Sequence, residues 1–367
     1  MRGTVLIAGG GTGGHLFPGL AVAAALRELE PALQLAFVNA GKALESRVLQ
    51  EAGYPLEAIK VRALRGRGLW ERLASLAALP GALWSALALL RRYRPGLVLA
   101  VGGYAAFPLG VAAWLAGVPL AVQEQNAVPG LTNKFLSRLA LVVFTAFPGA
   151  EKALPASKVR LMGNPVRLDL LKQAKEEAAR RGEPSQGFHL LVLGGSQGAH
   201  SLNQGMREAL PLLEDKKNLL RVTHQTGPKE ETQVREAYAA QGIQARVEAF
   251  IQDMGRAYGR SHLVICRAGA GTLTEALAAG RAAVCVPYPY AAGDHQTANA
   301  RSLLEAGAAR LIADADFNGP SAAGVIRHFM DHPQELAAME AKAGELAKPE
   351  AARDIARHCL ALLKEAA

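Results

Sequence analysis

Two apolar runs in this chain break into glycines and then into helix-forming sequence. Thr4–Ala8 leads into Gly9-Gly10-Gly11-Thr12-Gly13-Gly14-His15, and Phe188–Leu193 leads into Gly194-Gly195-Ser196-Gln197-Gly198. A strand that feeds a glycine turn and then a helix opens a parallel crossover unit, which needs helices on both faces of its sheet. A chain of 367 residues, half of them hydrophobic, that opens such a unit twice reads as two Rossmann-like α/β domains. The runs between agree. Leu33–Asn39, Leu97–Val101, Leu120–Gln123 and Leu141–Thr145 read as strands of the first domain. Leu219–Gln225, Arg246–Ala249, Leu263–Cys266 and Ala283–Val286 read as strands of the second. Ala- and Leu-rich helical stretches separate them. Gly163-Asn164-Pro165 reads as the hinge, giving domains 1–163 and 164–342. A C-terminal helix over about 343–367 carries Ile355, Cys359, Leu360 and Leu363 at helical spacing and is assigned to the first domain.

Composition narrows the chemistry. Three cysteines (Cys266, Cys285, Cys359) are too few and too spread for a disulfide framework or a zinc pattern, which fits a reducing compartment. The first residues run straight into the glycine loop and show no secretory signal. Gly9, Gly11 and Gly14 satisfy the dinucleotide glycine spacing, but a dinucleotide site also needs an acid at the end of the next strand. Phe37-Val38-Asn39-Ala40-Gly41 has none, nor has His224-Gln225-Thr226-Gly227, so a nicotinamide cofactor is disfavoured. No phosphate-binding loop of the ATPase type occurs.

The formal charge of +9 is unevenly placed. Residues 1–163 hold 17 Lys and Arg against eight acids, all Glu, whereas the remainder holds 24 of each sign. A one-sided basic domain points to an anionic partner. Lys60, Arg62, Arg65, Arg67 and Arg72 flank one side of an uncharged stretch, Leu73–Leu90, and Arg91, Arg92 and Arg94 flank the other. Pro80-Gly81 interrupts that stretch, so it reads as a short helical pair. It is either core or an apolar surface resting on an anionic bilayer. With only Trp70, Trp84 and Tyr93 near the basic cluster, nucleic-acid binding is not expected.

Two further glycine turns follow strands: Gly102-Gly103-Tyr104, and Arg267-Ala268-Gly269-Ala270-Gly271-Thr272-Leu273-Thr274-Glu275. Small residues at a helix start admit a phosphate to free N–H groups, and the helix dipole favours the anion. Thr272 and Thr274 offer hydroxyls, and Glu275 sits where a carboxylate accepts from ribose hydroxyls. His15, at the end of the first loop, is the candidate general base. Asp314-Ala315-Asp316 reads as turn chemistry, and no histidine–carboxylate cluster has metal-ligand spacing, so neither metal nor cofactor is expected.

The ordered set of motifs resembles one family. Gly10–His15 with Phe17-Pro18-Gly19, Gly102-Gly103-Tyr104, Glu124-Gln125-Asn126, Gly163-Asn164-Pro165-Val166-Arg167, Gly194–Ala199, Phe250-Ile251-Gln252-Asp253, Arg267–Glu275 and Asp294-His295-Gln296 together resemble the MurG-type family. These are the bacterial cell-wall UDP-N-acetylglucosamine: N-acetylmuramoyl-(pentapeptide) pyrophosphoryl-undecaprenol N-acetylglucosaminyltransferases. The resemblance implies a GT-B fold, two Rossmann-like domains facing across a cleft. It implies inverting transfer of GlcNAc from UDP-GlcNAc to the C4 hydroxyl of a lipid-linked MurNAc-pentapeptide. In the second domain Ser196 and Ala270, Gly271, Thr272, Leu273, Thr274 and Glu275 would hold the diphosphate and ribose. Ile251 would meet the uracil by its backbone, Gln296 the sugar hydroxyls, and Arg167 would lie near the nucleotide. In the first domain Thr12, Gly13, Gly14, Gly103 and Tyr104 would take the acceptor pyrophosphate, with Asn126 beside the transferred sugar. An enzyme of this kind would sit peripherally on the cytoplasmic face of the cell membrane. Two other readings share these features: a lipid glycosyltransferase making glycosyl-diacylglycerol, and a non-catalytic nucleotide-sugar binder.

Overall fold

A computed structural model describes residues 3–10, 13–41, 43–59, 78–182 and 187–365. The chain forms two compact units, residues 1–167 with 348–367, and residues 168–347. Each is built on one parallel sheet.

The first unit runs β1 (Thr4–Gly9), α1 (Gly13–Leu29), β2 (Gln34–Asn39), α2 (Ala43–Glu51), β3 (Leu56–Ala58), α3 (Leu79–Tyr93) and β4 (Leu97–Gly102). It continues through α4 (Ala106–Leu115), β5 (Leu120–Glu124), α5 (Leu131–Leu139), β6 (Val142–Thr145) and β7 (Val159–Leu161). The sheet order is β3-β2-β1-β4-β5-β6-β7, all parallel. β1 and β4 are buried along their whole length, as the unbroken apolar runs require of strands covered on both faces. The order reverses direction between β1 and β4, and a doubly wound sheet binds its ligands at such a switch point, beyond the carboxyl ends of the strands. The register shifts between Ala8 and Gly9, so that Gly9 pairs with Gly102. The two glycine turns of this unit therefore leave the sheet side by side.

The second unit runs α6 (Leu168–Ala178), β8 (Phe188–Leu193), α7 (His200–Ala209), β9 (Leu220–Gln225), α8 (Glu231–Ala240), β10 (Gln244–Glu248) and α9 (Met254–Arg260). Next come β11 (Leu263–Cys266), α10 (Ala270–Ala278), β12 (Ala282–Cys285), α11 (His295–Glu305), β13 (Ala309–Leu311), α12 (Gly319–Asp331) and α13 (Pro333–Leu346). The order β10-β9-β8-β11-β12-β13 repeats the same winding, with its switch point between β8 and β11. The loops after those two strands are the remaining glycine-rich motifs.

The C-terminal helix is shorter than its expected span. α13 ends at Leu346 in the second unit, and a separate α14 (Ala351–Glu365) belongs to the first. Ile355, Cys359 and Leu363 are buried with Leu97 and Leu26 in the first unit's core, and Arg353 pairs with Glu28 of α1 at 2.9 Å. At about 1.5–3 kcal/mol for each large buried side chain, this apolar stripe holds the returning helix and the surface ion pair adds little.

Pro80-Gly81 does not divide a helical pair among the described residues. Pro80 lies in the first turn of α3, where a missing N–H costs nothing. Ala82, Ala86 and Leu90 repeat every four residues and face the core. Residues 60–77, with the basic cluster from Lys60 to Arg72, lie outside the described residues, as does Thr12. Among those described, no helix is long and apolar enough to cross a membrane.

Candidate functional site

In the first unit the expected residues gather at the switch point. Gly10 adopts φ +149°, and Gly103, at φ +87°, packs so closely on it that a Cβ there would lie 2.0 Å from the Gly10 carbonyl oxygen. Only glycine permits this approach of two backbones. His15, in the first turn of α1, lays its imidazole against Gly102: a Cβ on that residue would lie 2.8 Å from Cδ2 and 3.0 Å from Nε2. Gly13, Gly14 and Tyr104 are exposed beside it. The first N–H groups of α1 have no partner within the helix, so the turn is suited to an anion.

Asn126 stands on a loop shaped by a residue that motif reading left without a role. Glu124, at the end of β5, is buried, and its carboxylate accepts from the Asn126 N–H (2.9 Å), the Gly130 N–H (3.0 Å) and Asn133 Nδ2 (2.9 Å). Burial raises its pKa above the usual carboxylate range, while those donors pull it back down. Gln125 Nε2 donates to the Val101 carbonyl at 2.7 Å and ties the same loop to β4. Arg167 lies in this unit, its guanidinium 5.7 Å from the centre of the Phe17 ring on α1.

In the second unit the loops after β8 and β11 flank the other switch point. Gly195 and Gly198 take positive φ, and a Cβ on Gly198 would lie 2.0 Å from the Thr226 carbonyl oxygen. Ser196 is exposed at the tip of the turn. Beneath it lies a closed polar chain. Tyr238, His224 and Asn203 are wholly buried. His224 Nδ1 lies 3.2 Å from the Tyr238 hydroxyl, its Nε2 lies 3.2 Å from Asn203 Oδ1, and Asn203 Nδ2 donates to the Thr226 carbonyl at 3.0 Å. Burial lowers the His224 pKa to about 3, so the ring is neutral, with Nε2–H donating to Asn203 and Nδ1 accepting from Tyr238.

The 270–275 segment opens α10. Ala270, Gly271 and Thr272 present N–H groups that the helix does not engage; the Leu273 N–H is the first to bond within it, to the Gly269 carbonyl. Two of the expected contributors turn their side chains into the protein. The Leu273 side chain is in the core, and the Thr274 hydroxyl is turned into the helix, donating to the carbonyls of Ala270 (2.8 Å) and Gly271 (3.0 Å). Threonine inside a helix satisfies its hydroxyl this way. Glu275 is held by Tyr258, a buried residue whose hydroxyl donates to Oε2 at 3.2 Å. Burial and the neighbouring carboxylate keep that phenol protonated. Ile251 is buried, and its N–H donates to Gln225 Oε1 at 3.0 Å, so one of its two main-chain groups is engaged. Gln296, in the first turn of α11, accepts from the Tyr288 N–H at 2.9 Å.

Asp314 begins a short 3-10 turn, and it is also the ion-pair partner of Arg267 at 2.5 Å. A histidine–carboxylate cluster does exist, contrary to the sequence reading: His328, His332 and Glu335 bring ligand atoms within 4.8 Å of one another. His328 and His332 are one helical turn apart, and the following helix brings Glu335 to them. Arg310 places a guanidinium nitrogen 2.7 Å from His328 Nε2 and 3.0 Å from Glu335, a cation where a metal would stand, so the cluster is a poor fit for one. A cavity of about 340 Å³ lined by His189, Arg221, Arg246 and Arg260 lies along β8, β9 and β10 toward their amino-terminal ends, away from the glycine loops.

The chain matches the glycosyltransferase family 28 N-terminal domain over residues 5–145 and the C-terminal domain of the same family over residues 189–358. It is 46% identical to the UDP-N-acetylglucosamine–N-acetylmuramyl-(pentapeptide) pyrophosphoryl-undecaprenol N-acetylglucosamine transferase of Myxococcus xanthus, over 98% of this chain and 93% of that one. The Syntrophus aciditrophicus protein of the same name is 44% identical over 98% and 99%. Among solved structures, MurG of Acinetobacter baumannii superposes with a TM-score of 0.79 at 34% identity, over 98% of this chain and 99% of that one. A UDP-GlcNAc 2-epimerase from Neisseria meningitidis, at 13% identity over 98% and 100%, shares the fold with a TM-score of 0.68. Two Rossmann-like parallel-sheet domains, a strand order repeated in each, and this identity along nearly the whole length place the chain, a GT-B protein, in the MurG family of glycosyltransferase family 28.

Proposed function

We propose that this chain is the enzyme that moves GlcNAc from UDP-GlcNAc to the C4 hydroxyl of undecaprenyl-pyrophosphoryl-MurNAc-pentapeptide. The observation that carries the reading is the pair of anion-suited glycine turns at the switch point of each sheet, one set with a histidine against it. The hydroxyl oxygen attacks C1 of the sugar, the C1–O bond to the diphosphate breaks, and the hydroxyl proton passes to a base. Attack from the face opposite the leaving group inverts C1. His15 is assigned as that base, because it is the histidine at the turn assigned to the acceptor pyrophosphate. The charge that grows on the leaving diphosphate meets the N–H groups at the starts of α7 and α10. Glu275 accepts from the ribose hydroxyls and Gln296 reads the sugar. Asn126 stands beside the transferred sugar, and Gly13, Gly14, Gly103 and Tyr104 take the acceptor pyrophosphate.

A lipid-linked acceptor brings the first unit to a bilayer. α3 exposes Trp84 (69%) and ends in Arg91 and Arg92, and α4, packed against it, exposes Trp114 (53%). A groove of about 330 Å³ between these helices is lined by Leu79, Pro80, Leu83, Phe107, Pro108 and Val111. Apolar side chains next to arginines suit the cytoplasmic, anionic face of a membrane. UDP release with UDP-GlcNAc, dependent on a lipid-linked MurNAc-pentapeptide analogue, supports the reading. Release onto diacylglycerol, or release independent of any acceptor, sinks it.

A further inference from the structure

Arg267 opens the loop after β11, and its side chain is 12% exposed. One guanidinium nitrogen donates to the carbonyls of Val286 (3.1 Å) and Pro287 (3.4 Å) and to Asp314 Oδ1 (2.5 Å). The other donates to Ser201 Oγ (2.8 Å), and the Ser201 hydroxyl donates to the same Asp314 oxygen (2.6 Å). The guanidinium also lies 5.6 Å from the centre of the Tyr288 ring. Val286 to Tyr288 follow β12, Asp314 follows β13, and Ser201 is in the first turn of α7. A single planar group thus joins the loops beyond four strands of the second unit. A guanidinium can hold that many acceptors in fixed directions, and an ammonium cannot.

The segment it holds ends on the sugar-reading residue. The Tyr288 N–H donates to Gln296 Oε1. A main-chain donor settles which end of the amide is which, so the NH₂ group is the end turned to other acceptors. We propose that Arg267, fixed by Asp314 and Ser201, is a positioning residue for the sugar end of the donor site. It sets the 286–288 segment, hence the Gln296 amide, and so the discrimination between UDP-hexosamines that differ in one hydroxyl. The inference rests on the reading above that the second unit holds the UDP-sugar.

Calorimetric titration of the full chain with UDP, UDP-GlcNAc and its C4 epimer UDP-GalNAc tests it without needing turnover. Asp314→Ala keeps UDP affinity within about twofold but lowers the preference for UDP-GlcNAc over UDP-GalNAc by about tenfold, the worth of one well-placed hydrogen bond. Ser201→Ala, which leaves the ion pair intact, gives a smaller change in the same direction and serves if the first variant fails to fold. Equal weakening of UDP and UDP-GlcNAc, or an unchanged preference, overturns the inference, as does a wild-type chain indifferent to the epimers. A wild-type chain that binds no UDP overturns the placing of the nucleotide itself, and this inference with it.

Discussion

Replacing Gly103 by alanine separates steric fit from backbone strain. Its positive φ strains any L-residue by about 1–2 kcal/mol. The added methyl would also lie 2.0 Å from the Gly10 carbonyl oxygen, and backbone cannot swing aside as a long side chain does. Restoring an ordinary contact of roughly 3.4 Å moves the two glycine turns apart by more than an ångström. His15 leaves the first turn and lies against Gly102, so that displacement falls on the proposed base. A misplacement of about 1 Å costs on the order of 100-fold in rate. Gly117 supplies the matched control: φ +69°, with nothing within 4 Å of an added Cβ. Urea unfolding should show a loss of about 1–2 kcal/mol for Gly117→Ala and a larger one for Gly103→Ala, and steady-state kinetics about 100-fold lower kcat/KM for Gly103→Ala alone. Equal kinetic losses, or none in Gly103→Ala, would refute the reasoning.

Three further outcomes are expected. His15→Ala should lower turnover by about 100-fold and leave UDP affinity nearly unchanged; unaltered turnover removes His15 from the chemistry. Tyr258→Phe removes the hydroxyl that holds Glu275, so UDP should bind about three- to tenfold more weakly while the ribose-modified 2′-deoxy-UDP changes less. An equal loss for both nucleotides counts against the ribose role. His224 links stability to pH. Its folded pKa of about 3 lies below the ordinary 6.5, so the unfolded chain binds the extra proton and the stability present above pH 6.5 is lost as pH falls. Between pH 6.5 and 4.5 this amounts to about 2–3 kcal/mol, which denaturant titration of wild type against His224→Phe isolates as a shrinking difference. A pH-independent difference contradicts the neutral buried ring.

The sequence displays what is local. Ten strands are visible, most of them as apolar runs of four or more residues between helical stretches, and each structural strand lies within a residue or two of its expected span. β3, β7 and β13 were missed: three residues carry no period, and these strands lie at or next to sheet edges where burial is incomplete. Glycine turns are equally legible, because backbone approach allows only one residue type there. The groups that hold the site in shape are not legible. Glu124 stood inside a recognised motif, but its partners at Gly130 and Asn133 gave no signal. Asp314 lies 47 residues from Arg267 and resembled a turn acid, which it also is. The Thr274 rotamer is hidden for a related reason: a hydroxyl at a helix start serves a ligand or the helix, which spacing does not reveal, and here it donates to the Ala270 carbonyl.

Sugar transfer to a lipid-linked acceptor is the step at the centre of the proposed function. The most direct measurement follows radiolabelled GlcNAc from UDP-GlcNAc into the lipid fraction with purified protein and the undecaprenyl-pyrophosphoryl-MurNAc-pentapeptide acceptor, and then determines the new linkage by NMR. The predicted result is a single labelled lipid with a β-1,4 bond between GlcNAc and MurNAc. Label that stays in the aqueous phase, or enters the lipid through an α bond, would contradict it.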